Sequence, residues 1–370
     1  MSKVIFSFFS GSGFLDLGFE TSDYKIVFVN EFHRPFVDAY RHSRNKMGIA
    51  EPEYGYHCCD IDDFLTKSEL LSELKHQINI EKNKGNLVGF IGGPPCPDFS
   101  IGGKNKGKEG ENGRLTESYI DLICLCKPDY FMFENVKGLW RTKRHREFYD
   151  AMKDKLEQNE YSLSDRLTNS IEFGAPQDRD RIILFGLDSQ KFSNNNNSTE
   201  LSDLVDWSIA VKYNKDDVFN YSWPTVSKFV QNTKTKNPND EYEDLTIQFW
   251  FDKNDISNHP NSKHHFQPRA GLAKFEVIDE GDVGKKSYKR LHRWRYSPTA
   301  AYGNNEVHLH PYFARRLSAA EALAIQSLPK EFELPSDMTL SNMFKTVGNG
   351  VPFQMSKGIA SVLKNVLEKL

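Results

Sequence analysis

The sequence predicts an open α/β protein, a mostly parallel sheet with helices on both faces, accompanied by a smaller irregular lobe. Three observations carry this. Over the first 187 residues, short apolar runs suited to buried strands (4–8, 26–29, 87–91, 130–133 and 181–187) alternate with segments of helical periodicity (34–44, 116–126 and 145–158). The alternation breaks at the polar stretch Ser193-Asn194-Asn195-Asn196-Asn197-Ser198, and the chain from there to about Gly303 is polar, aromatic and irregular. After Pro311 helical periodicity returns. Leu317, Ala320, Leu323 and Ala324 share one face, Ser318 with Glu321 three residues on reads as a capping box, and a last helix is expected over residues 352–367, docked on the first domain. The expected division is residues 1–189 with 311–370 in the larger domain and 190–310 in the smaller.

At 370 residues the chain can bury a substantial core. No apolar run approaches the roughly 18 to 20 residues of a membrane span, and no signal pattern opens the sequence, so a cytoplasmic, membrane-free protein is expected. The five cysteines (Cys58, Cys59, Cys96, Cys124, Cys126) form no CxxC pair and no Cys/His ligand spacing. Neither a disulfide framework nor a metal is implied. The net charge of −3 does not suggest a nucleic-acid partner, but its distribution does. Residues 263–316 hold eleven Lys and Arg against five Asp and Glu, and Lys104, Lys106 and Lys108 lie in a glycine-rich stretch. Phosphate contact is the expectation for both.

The first strand runs into Phe9-Ser10-Gly11-Ser12-Gly13, whose glycines allow a tight turn and close approach to a ligand before the next helix. The second ends at Asn30-Glu31, where a carboxylate can accept from both hydroxyls of a ribose. Asp60-Ile61 offers a carboxylate for an exocyclic amine and an apolar wall for a purine. Together these describe an adenosine pocket.

The strand at 87–91 ends in Gly92-Gly93-Pro94-Pro95-Cys96, which places a thiol in a rigid loop at a strand's carboxyl end, where open α/β sheets do their chemistry. The strand at 130–133 ends in Glu134-Asn135-Val136 beside it. Thiolate and carboxylic acid together suit attack at C6 of a pyrimidine, with the acid at N3 and C5 left able to take a methyl group. Gln177, Arg179 and Arg181 are spaced by two into another strand, so Arg179 and Arg181 are expected on one face, one for the base and one for the site's structure.

In this order Phe9-Ser10-Gly11-Ser12-Gly13, Pro94-Pro95-Cys96, Glu134-Asn135-Val136, Gln177-Asp178-Arg179-Asp180-Arg181, Arg316-Leu317-Ser318 with Glu321 and Gln326, and Gly348-Asn349-Gly350-Val351-Pro352 resemble the motifs of the DNA cytosine-5 methyltransferases along almost the whole chain. The resemblance implies a Rossmann-like S-adenosylmethionine-dependent methyltransferase domain and a smaller target-recognition domain. It implies Cys96 as nucleophile, Glu134 as acid, Arg181 as a base-contacting residue and Arg179 as support. It would set S-adenosylmethionine against Phe9, Gly11, Gly13, Glu31, Phe32, Asp60, Ile61, Pro95, Leu115, Asn349 and Val351. Double-stranded DNA would meet Ser100, Lys104 and Lys106 in a closing loop. In the small lobe it would meet Arg290, Arg293 and Arg295, and Thr299 in a short element near the flipped base. The enzyme is expected as a monomer of the restriction-modification type, with any cognate endonuclease acting separately.

Two departures stand out: Pro97 where many members have Gln, and Phe14 in place of a common third glycine. Three other readings compete. Relatives that methylate transfer RNA carry a Cys-Phe-Thr element in the small lobe, and no cysteine follows Cys126 here. A non-catalytic DNA-binding relative would be marked by loss of Cys96 or Glu134. A dinucleotide oxidoreductase would account for the glycine turn alone.

Overall fold

The computed structural model describes residues 1–95, 111–192, 200–238, 241–268, 272–285, 287–300, 302 and 307–370. Its centre is a seven-stranded sheet in the order β3-β2-β1-β4-β5-β7-β6. The strands are β1 (Lys3–Phe8), β2 (Tyr24–Asn30), β3 (Tyr56–His57), β4 (Leu87–Gly92), β5 (Tyr130–Val136), β6 (Tyr161–Asn169) and β7 (Asp180–Asp188). Pairing is parallel from β3 through β5, and β7 runs antiparallel to both β5 and β6. All five strands expected from apolar runs form. β4 is buried along its whole length, as a parallel sheet covered on both faces requires. The sequence pattern does not signal β3, only two residues long, or β6, whose polar, half-exposed side chains at the sheet edge mask a strand's periodicity.

Helices α1 (Phe14–Glu20), α2 (Arg34–Lys46), α3 (Asp62–Thr66), α4 (Ser68–Asn83), α5 (Glu111–Cys126), α6 (Gly138–Arg141) and α7 (Lys143–Gln158) connect the strands. Alternation along the strands divides the core in two. On one face Val4, Phe6, Phe8, Phe90 and Phe133 pack with Tyr119 and Ile123 of α5 and Met152 of α7. On the other, Ile5, Ile91, Met132 and Ile183 pack with Met355, Ile359 and Val362 of the last helix, Phe353–Lys369. That helix docks where the sequence places it: Ser356 Oγ donates to the Leu15 carbonyl and the Tyr24 hydroxyl to that of Ala360, at 3.3 Å.

Between Leu201 and Leu309 the described chain forms short helices and one two-stranded sheet, β8 (Tyr288–Arg290) with β9 (Val307–Leu309). Ile247, Trp250, Phe251 and Leu291 pack there against Leu317, Ala324 and Ile325, which belong to or flank the helix Ala319–Ile325. That helix has the expected capping box, Ser318 N–H donating to Glu321 Oε2 at 2.7 Å. The polar stretch at 193–198 lies outside the described residues. Among the described helices none is long and apolar enough to cross a membrane.

Candidate active site

The sheet order reverses between β1 and β4, and ligands of open α/β sheets bind at the carboxyl ends of strands at such a switch point. The chain leaves β1 through a turn in which Phe9, Gly11 and Gly13 all have positive φ, +52°, +56° and +79°. Gly13 is the position where a side chain is excluded twice over. Its backbone is left-handed, and a Cβ would meet the Tyr40 ring at 2.6 Å and Arg44 Nη2 at 2.7 Å. Nothing lies within 4 Å of a Cβ built on Gly11, so the backbone there faces open space.

Glu31, just past β2, holds this turn. Its carboxylate accepts from Gly11 N–H at 2.9 Å and from His33 N–H at 2.7 Å. Burial raises the Glu31 carboxyl above its ordinary pKa, against the pull of these donors. Phe32 beside it is 70 % exposed, a large apolar ring in solvent. The Asn30 amide donates to the His57 and Cys59 carbonyls, both at 3.0 Å, which fixes the approach to Asp60 and the buried Ile61. Asp60 caps the next turn by accepting from Asp62 N–H at 3.1 Å.

A second layer supports the turn from beneath. Asp16 is wholly buried and accepts from the Ser7 and Tyr40 hydroxyls, both at 2.9 Å. Burial, with Glu20 close by, pushes its carboxyl up to about 7. Arg44 of α2, also buried, pairs with Glu20 at 2.8 Å and donates to the Gly13 carbonyl at 2.6 Å. Sequence reasoning misses both residues. The available signal is an arginine at position 44 on the face that Phe36, Val37 and Tyr40 make apolar.

The far end of the chain returns to the same turn. The Ser12 and Thr346 hydroxyls are 2.7 Å apart, and a Cβ on Gly350 would lie 2.2 Å from the Phe14 ring. Asn349 is thereby brought, exposed, beside the turn, and Val351 is buried in the core next to it. Phe14, the departure from the family's third glycine, is a core residue stacked edge-on to Phe332 at 5.1 Å.

At the end of β5, Glu134 is nearly buried and pairs with Arg181 of β7, Nε to Oε1 2.6 Å. Its other oxygen lies 2.5 Å from where a Cβ on Gly93 would be, so the carboxylate reaches across to the segment that leads into Pro94-Pro95-Cys96. Pro95 is exposed, and Leu115 of α5 is half-buried against the core. Cys96, Pro97, Ser100, Lys104 and Lys106 lie outside the described residues.

Arg179 points elsewhere. Buried ahead of β7, it donates to the carbonyls of Ala300 (3.1 Å), Gly348 (2.9 Å) and Asn349 (3.3 Å). Gln177 accepts from Ala300 N–H at 3.0 Å and donates to Gln326 Oε1 at 3.3 Å. Gln326 in turn donates to the Val347 carbonyl. Thr299, half-buried, donates to the Asp178 carbonyl at 2.6 Å.

Two expectations in the smaller lobe are corrected. Arg290 is fully buried, with its donors spent on the carbonyls of Phe275, Ile278, His310 and Phe313. Arg293 is buried in a two-pronged pair with Glu280, both bonds 2.8 Å, and also donates to the Thr233 carbonyl. Neither guanidinium faces a surface that DNA could reach. Both satisfy loop carbonyls in a lobe whose described ladder is the short pair β8 and β9. Arg295 is half-exposed, its guanidinium 5.1 Å from the centre of the Tyr296 ring.

Comparison with known proteins places the fold and the family. The chain is similar in fold to the methyltransferase EhMeth of Entamoeba histolytica (TM-score 0.60, 14 % identity, 100 % of this chain and 99 % of that one). It is likewise similar to the Dnmt2 methyltransferase of S. pombe (TM-score 0.57, 14 % identity, 99 % of each chain). It is 26 % identical over 370 residues to the Type II methyltransferase M.FnuDI of Fusobacterium nucleatum, covering 98 % of this chain and 94 % of the relative. To the Type II methyltransferase M.NmeDI of Neisseria meningitidis serogroup C it is 58 % identical over 365 residues, covering 99 % of this chain and 84 % of the relative. The family model for the C-5 cytosine-specific DNA methylase matches residues 4–365, from the first strand to the last helix, and the chain belongs to that family of enzymes.

Proposed function

We propose that this enzyme methylates C5 of a cytosine rotated out of a specific double-stranded DNA sequence, through a covalent adduct of Cys96 at C6. One observation carries the reading. Glu134, held by Arg181 at 2.6 Å, is aimed at Gly93, three residues before the cysteine. A carboxyl in that position can hold a proton at N3 of a cytosine while the Cys96 thiolate adds to C6. The C6–S bond leaves C5 nucleophilic. After C5 takes the methyl group, loss of the C5 proton and cleavage of the C6–S bond restore the aromatic ring and the thiolate. The base must leave the stack for a thiolate to reach C6.

The residues present fit S-adenosylmethionine, which would supply the electrophilic methyl group. The backbone at Gly11 is open, the Glu31 carboxylate can accept from ribose hydroxyls, Phe32 offers an exposed apolar face, and Asp60 with Ile61 can meet an adenine. Asn349 and Val351 would close the pocket from the chain's far end. Arg181 would orient Glu134 and meet the base, and Arg179 would hold the turns around them. Ser100, Lys104, Lys106, Arg295 and Thr299 are the remaining proposed DNA contacts. In the proposed division, residues 1–189 and 311–370 bind cofactor and perform catalysis, and 190–310 recognise the target. The enzyme is proposed to act as a cytoplasmic monomer, independently of any restriction endonuclease.

The test incubates purified protein with genomic DNA or transfer RNA and methyl-labelled S-adenosylmethionine, followed by digestion to nucleosides and mass spectrometry. Label in 5-methyldeoxycytidine is expected. Label only in RNA, or none in either, refutes the proposal. Cys96→Ala is expected to abolish transfer while duplex binding remains measurable, and turnover by that variant would sink the covalent mechanism.

A further inference from the structure

Residues 137–146, Lys-Gly-Leu-Trp-Arg-Thr-Lys-Arg-His-Arg, carry five Lys and Arg and no Asp or Glu. They leave the carboxyl end of β5, the strand that bears Glu134, and pass through α6 into the first turn of α7. A basic run is most often a solvated face, interspersed with acids and placed without regard to the site. This one is free of acids, is built into the fold, and lies beside the crevice.

Its own side chains fix it there. Leu139 is buried, and His145 Nδ1 lies 3.3 Å from the Gly138 carbonyl oxygen, which closes α6 against α7. The Arg146 guanidinium stacks 3.8 Å from the centre of the Trp140 ring and pairs with Asp150 at 2.9 Å. Lys137 pairs with Asp180, the residue that opens β7 at the same end of the sheet. Lys137 and Arg146 thus anchor the segment, and Arg141, Lys143 and Arg144 all reach solvent. Lys143 and Arg144 begin a 16-residue helix whose first turn has no acidic residue. The positive end of a helix favours a bound anion.

The reach is right for DNA. Arg141 is five residues beyond Val136, at most about 17 Å of extended chain and less here because four of the residues are helical. Phosphates of one strand follow at about 3.4 Å along the duplex axis, so this distance spans the few nucleotides next to a base held at Glu134.

We propose that Arg141, Lys143 and Arg144 form a phosphate-contact surface for duplex DNA beside the catalytic crevice, in addition to the contacts proposed for Ser100, Lys104, Lys106, Arg295 and Thr299. This rests on the reading of the chain as a duplex-DNA enzyme. The contacts are to backbone phosphate, so they strengthen binding to all sequences alike and carry no recognition of their own.

The test compares the unaltered protein with the triple variant Arg141→Ala/Lys143→Ala/Arg144→Ala. A fluorescent mixed-sequence duplex is titrated at several salt concentrations. Three lost contacts should reduce the slope of log affinity against log salt by about 2.7, so that a fourfold rise in salt weakens the unaltered protein about fortyfold more than the variant. Affinity for S-adenosylhomocysteine and the melting temperature should not change, and Arg141→Lys with Arg144→Lys should retain the original slope. An unchanged slope, or a change seen with a transfer-RNA transcript but not with the duplex, overturns the proposal. Because the slope is read without turnover, a protein that shows the slope change yet methylates nothing refutes the proposed reaction and leaves this surface standing.

Discussion

Phe14 and Gly350 form a pair whose coupling can be measured. A Cβ on Gly350 would lie 2.2 Å from one ring carbon of Phe14 and 2.8 and 3.0 Å from two others. The ring cannot swing aside, because it is 2 % exposed and seated edge-on against Phe332 at 5.1 Å. Gly350→Ala in the unaltered protein is therefore overpacking, worth about 1 to 3 kcal/mol of lost stability. Phe14→Ala empties a core position and costs about 3 to 5 kcal/mol. In the Phe14→Ala background the added methyl enters the vacated space. The backbone at Gly350, φ −64° and ψ 150°, suits alanine, so the substitution there should be neutral or stabilising by about 0.4 to 1 kcal/mol. The expected coupling is about 1 to 4 kcal/mol in the cycle. Urea unfolding of the four proteins at constant m-value gives it directly. Additivity within about 0.5 kcal/mol would refute the reasoning, because it would mean that the two residues do not share a space.

Asp16 makes stability depend on pH in an unusual direction. Its carboxyl is pushed up to about 7 when folded and titrates near its ordinary value of 3.8 when unfolded. Between those values the folded chain keeps a proton that the unfolded chain releases, so this group's contribution to stability falls as pH rises through that window, by on the order of 4 kcal/mol in all. Asp16→Asn, whose amide can accept from one of the Ser7 and Tyr40 hydroxyls and donate to the other, should remove that loss. The unfolding midpoint should rise near pH 8 and change little near pH 4. In the smaller lobe, Arg293→Ala strands the buried Glu280 carboxylate and should cost about 3 to 5 kcal/mol of stability, read as a lowered melting temperature. Arg295→Ala should leave that temperature unchanged.

The parts of this molecule legible in its sequence are those that local chemistry decides. Residues 87–91 must be a buried strand because nothing polar interrupts them, and Gly92-Gly93-Pro94-Pro95 must end it. Glu134 and Arg181 follow from strand ends in the same way, and β5 and β7 bring them within 2.6 Å. What escaped was set by solvent access, which a count of charges does not contain. Eleven cations in residues 263–316 read as a phosphate surface, yet Arg290 and Arg293 are interior. Loops without a ladder leave carbonyls to be satisfied, and a guanidinium with five donors in a fixed fork does so better than any other side chain. The opposite error passed over residues 137–146, where Arg141, Lys143 and Arg144 do face solvent, just ahead of the helical pattern read at 145–158.

The alternation expected for Gln177, Arg179 and Arg181 hides a division of labour with consequences for both substrates. Arg181 turns to Glu134, whereas Arg179 joins Ala300, next to Thr299, to Gly348 and Asn349 through one planar group. The first turn belongs to the proposed target side and the second to the proposed cofactor side. A lysine cannot hold both, because its single ammonium cannot reproduce the fixed fork that spans three carbonyls. Arg179→Lys should therefore raise KM for DNA and for S-adenosylmethionine together and leave a larger share of kcat than Arg181→Lys does. The latter disturbs the Glu134 carboxylate itself and should depress kcat first. Steady-state kinetics with each substrate varied in turn distinguishes the two. If Arg179→Lys raised KM for one substrate alone, the shared guanidinium would not be linking the two turns, and the Gln177–Gln326 bridge to the Val347 carbonyl would be the connection that remains.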